Sequence, residues 1–191
     1  MKRSEARKIC FITGTRAEYG LLSGLIKKVE KNKSFKLDLI VTGTHLSSEY
    51  GKTIDFIYKH KVKISRKIDI SLNKNSRLGV SKSLSIAIEK ISRNLNNLKP
   101  DLLILLGDRY ETFAAAVSAT ILNIPIAHIH GGETTQGAFD ESFRHSITKM
   151  SHFHFCSTNA YKKRIIQLGE NPKNVFCVGA LGIDNISSNK Y

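Results

Sequence analysis

Four apolar runs in this chain each end in a short cluster of residues able to do polar chemistry. The first opens into Gly14-Thr15-Arg16-Ala17-Glu18, the second into Gly43-Thr44-His45, the third into Gly107-Asp108-Arg109 and the fourth into His128-Ile129-His130-Gly131-Gly132-Glu133. Arginines recognise anions, imidazoles and carboxylates move protons near neutral pH, and a Gly-Gly pair lets a ligand approach the backbone. Together these types point to acid/base work on an anionic substrate. Asp140 adds a further carboxylate at the start of an amphipathic segment. It reads as a helix N-cap with Phe143 packed beneath it and also as a catalytic group, since capping and catalysis are compatible.

Each of these residues also has a plainer reading. Gly14 and Gly43 can simply end strands. Asp108, after five apolar residues, can cap the helix starting near Tyr110, pair with Arg109, or transfer a proton. Arg16 opens a helix whose dipole already favours negative charge, a mismatch that a bound anion resolves. His128, inside a strand, reads as a packed core histidine, whereas His130 and Glu133 lie in a loop and read as functional. His152 and His154 share a strand face and read as packed or exposed. No G-x-G-x-x-G, no G-x-S-x-G and no metal-ligand spacing occurs, so no dinucleotide, serine nucleophile, cofactor or metal is expected.

The elements that must position these residues follow from the apolar period, which switches repeatedly between two and 3.6. Strands are predicted at Lys8 to Gly14, Phe35 to Thr42, Val62 to Ile70, Asp101 to Leu106, Pro125 to Ile129, His152 to Cys156 and Asn174 to Val178. Helices are predicted at Tyr19 to Lys31, His45 to Lys59, Val80 to Leu98, Tyr110 to Leu122, Asp140 to Met150 and Ala160 to Leu168. This alternation predicts an α/β fold with a parallel sheet flanked by helices. DLLILL reads as the central strand, and the strictly alternating VKISRKIDI as a strand near an edge. In an open sheet of this kind ligands bind beyond the carboxyl ends of the strands, where the four clusters fall. The ending DNISSNKY reads as the start of a helix.

The chain has 191 residues, enough for one sizeable core and short for two. Thirty Lys and Arg against 16 Asp and Glu give a net charge of +14, which attracts anions and raises a nucleic-acid-binding reading. The basic residues are scattered over solvated faces without aromatic interleaving, so no nucleic-acid partner is expected. Cys10, Cys156 and Cys177 form no C-x-x-C pair, and each lies in an apolar run, so all are expected as buried thiols. No stretch approaches the roughly 20 apolar residues of a membrane span. With no secretory h-region either, no membrane association and a cytoplasmic location are expected.

GTRAEYGLL, VTGTHLSSEYG, LGDRYE, HIHGGETTQGAFDESFRHSITKMSH and VGALGID, in this order across residues 8 to 186, resemble the hydrolysing UDP-N-acetylglucosamine 2-epimerases of sialic and legionaminic acid synthesis. The resemblance implies a two-domain enzyme of glycosyltransferase-B architecture whose Rossmann-like halves close on a nucleotide sugar. This chain matches the first half, residues 1 to 186, with 187 to 191 starting the connection to a second. Such enzymes remove the nucleotide by anti elimination across C1 and C2, giving a 2-acetamidoglucal, and then add water to give N-acetylmannosamine. They act as homo-oligomers without a cofactor, on UDP- or GDP-linked N-acetylglucosamine or 2,4-diacetamido-6-deoxy sugars.

Carried over position by position, Asp108 and Asp140 match the family's catalytic acidic positions. Arg16 and Arg109 match residues near the diphosphate, with Gly14, Gly131 and Gly132 in the binding turns and His45 on the sugar side. Several relatives have Glu where this sequence has His130, so the acid/base work of that loop falls to His130 or to Glu133. The loop before Asp140 is one residue longer than in some relatives. The resemblance predicts that the isolated chain turns over little substrate. The competing expectation is a catalytically incomplete domain whose role is binding or oligomerisation.

Overall fold

The computed structural model describes residues 5–72, 76–134 and 140–183. Seven strands, β1 (Arg7–Thr13), β2 (Phe35–Thr42), β3 (Arg66–Ile68), β4 (Leu102–Leu106), β5 (Ile126–Ile129), β6 (Phe153–Cys156) and β7 (Val175–Cys177), form one sheet in the order β3-β2-β1-β4-β5-β6-β7. Every adjacent pair is parallel. All carboxyl ends therefore share one edge. The strand order reverses between β1 and β4, which opens a crevice between their two turns.

The strands read as near-continuous apolar runs because both faces are covered. Cys10, Ile12, Ile40, Leu103 and Leu105 face one layer, built by α3 (Arg77–Leu98), α4 (Tyr110–Ile121) and α5 (Asp140–Met150). Ile9, Phe11, Leu39, Val41 and Ile104 face the other, built by α1 (Arg16–Lys31) and α2 (Ile54–Lys59). The last helix, α6 (Asn159–Gln167), seals the β6–β7 end through Ile165 against Cys156 and Val175. Each fully buried Leu, Ile or Phe stabilises by about 1.5–3 kcal/mol relative to exposure. The fold is thus the expected α/β, Rossmann-like parallel sheet.

Four expectations change. The helix expected over 45–59 is a 3-10 turn at Gly43–His45 followed by the short α2, because Gly51 and Lys52 take positive φ (79° and 44°) and break the helical path. The expected strand over 62–70 pairs only at Arg66–Ile68. Val62 and Ile70 are still buried there, but without ladder partners, as suits an edge. Cys177 is exposed while Cys10 and Cys156 are buried, since β7 is the other edge and only Val175 of it faces α6. At the α3 end, Ser76 accepts a hydrogen bond from Gly79 N–H, so the helix starts earlier than the expected Val80. The helix start expected in DNISSNKY falls on 184–191, outside the described residues.

Candidate functional site

Gly14, Gly43 and Arg109 meet at the switch between β1 and β4. Gly43 has φ +61°, and a Cβ on it would lie 2.7 Å from Gly14 O, so the β1 and β2 turns touch only because glycine stands there. His45 braces this contact from below. It is fully buried, its Nε2 3.2 Å from Thr13 Oγ1 and its Nδ1 2.8 Å from Thr53 Oγ1, and burial pushes its pKa down to about 4. Arg16, the first residue of α1, is exposed, with its guanidinium 5.1 Å over the Phe56 ring.

Arg109 donates from Nε to Glu111 Oε1 at 2.6 Å. Burial opposes the Arg109 charge, but Glu111 more than offsets it by charge and by hydrogen bond. Glu111 and Glu18 are both buried beneath the Gly14 turn, and Glu18 accepts from Gly14 N–H at 2.8 Å. Toward β3 the crevice continues into a cavity of about 470 Å³ lined by Gly43, Leu46, Ser47, Asp69, Ser71 and Lys82.

A second cluster forms where β4 and β5 end and α5 begins, with Arg144 at its centre. This buried side chain pairs with Asp108, donates to His130 O at 2.9 Å and lies 3.7 Å from Glu133 Oε2. Asp108 is thereby neither the cap of α4 nor the partner of Arg109: the N-cap is Arg109, without a side-chain cap bond, and Glu111 takes its guanidinium. His130 Nδ1 lies 3.1 Å from Glu133 Oε1, which also accepts from Ser157 Oγ at 3.0 Å. His130 has φ +62°, an unfavourable conformation for a residue with a Cβ, held here by the Arg144 bond to its carbonyl. Its Nε2 is buried and has no partner among the described residues.

The two ends of this cluster are pushed in opposite directions. Burial would raise Glu133, yet the His130 hydrogen bond and charge, the Ser157 hydroxyl and Arg144 together hold it below the ordinary carboxylate value. Asp140 is raised, first by burial and then by the charge of Asp108, against the smaller pull of Arg109 and Arg144. It is the first helical residue of α5 rather than its cap. Groups pushed apart in this way can serve as proton donor and acceptor at one pH.

His128 is the core histidine expected. It is fully buried with Nε2 2.7 Å from Gly107 O and Nδ1 3.2 Å from Thr148 Oγ1, and burial pushes its pKa down to about 3. It ties the Gly107 turn, which carries Asp108, to α5. His154 is buried against Glu170, whereas His152 is exposed. Among the described residues no group of three or more His, Cys, Asp or Glu could hold a metal ion, and no helix is long and apolar enough to cross a membrane.

Sequence reasoning missed Arg144, Glu111 and Ser157 as parts of the site, and it placed Glu18 in the first strand-end cluster without a role. Arg144 was within reach, lying one helical turn after Asp140 and so on the same helix face. Glu111 and Glu18 sit on different helices, and nothing in their spacing announces that they meet.

Comparison with known proteins places this geometry. Residues 27–191 match the family model described as UDP-N-acetylglucosamine 2-epimerase. The chain is 44% identical over 182 residues to the polysialic acid biosynthesis protein P7 of Escherichia coli, covering 95% of this chain and 46% of that protein. It is 46% identical over 175 residues to the GDP/UDP-N,N'-diacetylbacillosamine 2-epimerase (hydrolyzing) of Campylobacter jejuni, covering 92% and 45%. Its fold matches the UDP-GlcNAc 2-epimerase of Neisseria meningitidis, solved with UDP-GlcNAc bound, with TM-score 0.84 at 22% identity over 95% of this chain and 49% of that one. The chain spans about half the length of the relatives it matches.

Proposed function

The chain belongs to the UDP-N-acetylglucosamine 2-epimerase family, and from that premise we propose that it forms the first of two Rossmann-like halves of a hydrolysing nucleotide-sugar 2-epimerase. The observation that carries this reading is the convergence of Asp108, His130, Glu133 and Asp140 on Arg144, beside an arginine-bearing glycine turn. The substrate is a nucleoside diphosphate linked to an N-acetylated hexosamine, UDP-N-acetylglucosamine or the diacetamido sugar for which the Campylobacter relative is named. The product is the 2-epimeric free sugar, N-acetylmannosamine in the first case. The second half supplies the contacts to the base and part of those to the diphosphate. The enzyme works as a homo-oligomer in the cytoplasm.

The chemistry divides over the two clusters. Arg109 and Arg16, with the amides of the Gly14 turn, face the departing diphosphate, whose developing charge they offset. Asp108, fixed by the end of β4 and by Arg144, takes the proton from C2. Glu133 accepts from His130 Nδ1–H and so fixes the tautomer that leaves the buried Nε2 as the basic lone pair. His130 and Asp140 then deliver water and proton to the unsaturated intermediate. Asp140 suits the protonated role because burial and Asp108 raise it. The alternative, a domain that only binds or oligomerises, requires no such paired donors and acceptors.

The test is Asp108→Asn in a fusion of this chain with the second half of the Campylobacter relative. Turnover of UDP-N-acetylglucosamine or the diacetamido substrate is expected to fall by roughly 10²-fold or more, with the native circular dichroism spectrum kept. Unchanged turnover removes Asp108 from the mechanism. The chain alone is expected to release UDP negligibly, and release near an ordinary enzymatic rate, on the order of 10 per second, overturns the two-half reading.

A further inference from the structure

Two buried carboxyls beneath the Gly14 turn take no part in these proton transfers. Glu18 on α1 and Glu111 on α4 are 5% and 0% exposed. They flank the same residue. Glu18 Oε2 accepts from Gly14 N–H at 2.8 Å, and Glu111 packs so closely on Gly14 that a Cβ there would lie 2.5 Å from Glu111 Oε1. That same Oε1 accepts from Arg109 Nε. Glu18 Oε1 and Glu111 Oε2 remain, both buried and both without a donor among the described residues.

A buried carboxylate oxygen lacking a donor is strongly disfavoured, and two carboxylates against one arginine leave a net negative charge in the interior. A single proton resolves both problems. It removes the charge that makes one of the orphan oxygens costly to bury, and it brings the charge of the trio with Arg109 to zero. We propose that Glu18 and Glu111 hold one proton between them, Glu18 as the acid and Glu111 as the carboxylate that grips Arg109, and that losing this proton draws Arg109 away from an anion at the Gly14 turn. The part concerning the anion rests on the functional reading above, whereas the shared proton does not.

The proton belongs on Glu18 because Glu111 alone has the arginine in direct contact. Burial and then the charge of Glu111 push Glu18 up to about 8, against the Gly14 N–H and the charge of Arg109. The groups facing the pair are the Gly14 and Thr15 amides of the turn after β1, Arg109 from the β4 turn, Tyr110 beside Glu111, and Asp140 of α5 through its charge interaction with Glu111. His45, which donates its backbone N–H to Gly14 O at 3.3 Å, is kept neutral by burial and does not compete. Ionised Glu18 adds a second negative charge next to Arg109, so the guanidinium is retained by the protein at the expense of an external anion.

The pair can be read without any ligand. With the glutamate side-chain carboxyls ¹³C-labelled, one is expected to titrate near pH 8 and to be absent in Glu18→Gln. In Glu111→Gln that transition is expected to move down, because the neighbouring charge is gone. Glutamates that all titrate below about pH 6 overturn the shared proton, as does a high transition that survives Glu18→Gln. The second readout is UDP affinity of the fusion with the second half at pH 7 and pH 9, expected to fall about tenfold with wild-type Glu18 and less than about twofold with Glu18→Gln, since affinity tied to one proton falls tenfold per unit above its pKa. An equal fall in both proteins overturns the role of Arg109. Absence of UDP binding at either pH counts against the nucleotide reading, while the carboxyl titration still decides the proton.

Discussion

The two clusters at the sheet edge are made from the same kinds of residue and behave in opposite ways. Around Gly14, the buried Glu18 and Glu111 face a single, partly exposed arginine, and Glu18 is raised to about 8. Around Arg144, Asp108 and Glu133 share one arginine at partly exposed positions, with Ser157 and His130 adding donors, and Glu133 is lowered. The difference lies in the count of donors per carboxyl oxygen and in water access, not in residue type. The first cluster is built to hold a turn and an arginine in place. The second keeps groups of unequal proton affinity at positions that solvent reaches.

The comparison is broken most severely at its second centre. Arg144→Met leaves the Asp108 and Glu133 carboxylates without their common cation, and it is expected to destabilise the fold by about 3–5 kcal/mol, as breaking a buried pair does. Urea unfolding at neutral pH measures this. A loss below about 1 kcal/mol, the size of a surface pair, means that Arg144 does not organise the cluster.

The first cluster is tested by crowding. Gly14→Ala places a methyl group against Glu111 Oε1, so the carboxyl must swing away from Arg109. Overpacking of this kind is expected to lower stability by about 1–3 kcal/mol. Weakened UDP binding should accompany it if the turn and Arg109 act together.

The smallest effect is the pH dependence carried by Glu133. Glu133 has a folded pKa below its unfolded value, so its contribution is present above the ordinary value of 4.5 and is lost as pH falls through the lower folded value. Because the side chain is partly exposed, the effect is expected to stay under about 1 kcal/mol. Glu18 acts in the other sense. Its folded pKa is raised, so stability is fully present below 4.5 and declines as pH rises toward about 8. Denaturation curves between pH 3 and 9 should therefore lose an acid limb in Glu133→Gln and an alkaline decline in Glu18→Gln, and exchange of the two limbs between the variants contradicts the assignment.

The sequence by itself determined the order of strands and helices, since the change of apolar period from two to 3.6 is local and burial on both faces forces it. It also placed Asp108, His130, Glu133 and Arg109 at strand ends, because in a parallel sheet those ends share one edge. The tertiary structure alone decided who pairs with whom. Asp108 could be read as a cap or as the partner of its neighbour Arg109, and it is Arg144, 36 residues later, that takes it. The helix expected after β2 failed for a local reason, the left-handed Gly51 and Lys52, whose conformations the periodicity does not encode. The meeting of Glu18 with Glu111 depends on α1 and α4 crossing the same turn from opposite layers of the sheet. A proton shared across that distance in sequence is set by burial and donor count, and those exist only once the chain has folded.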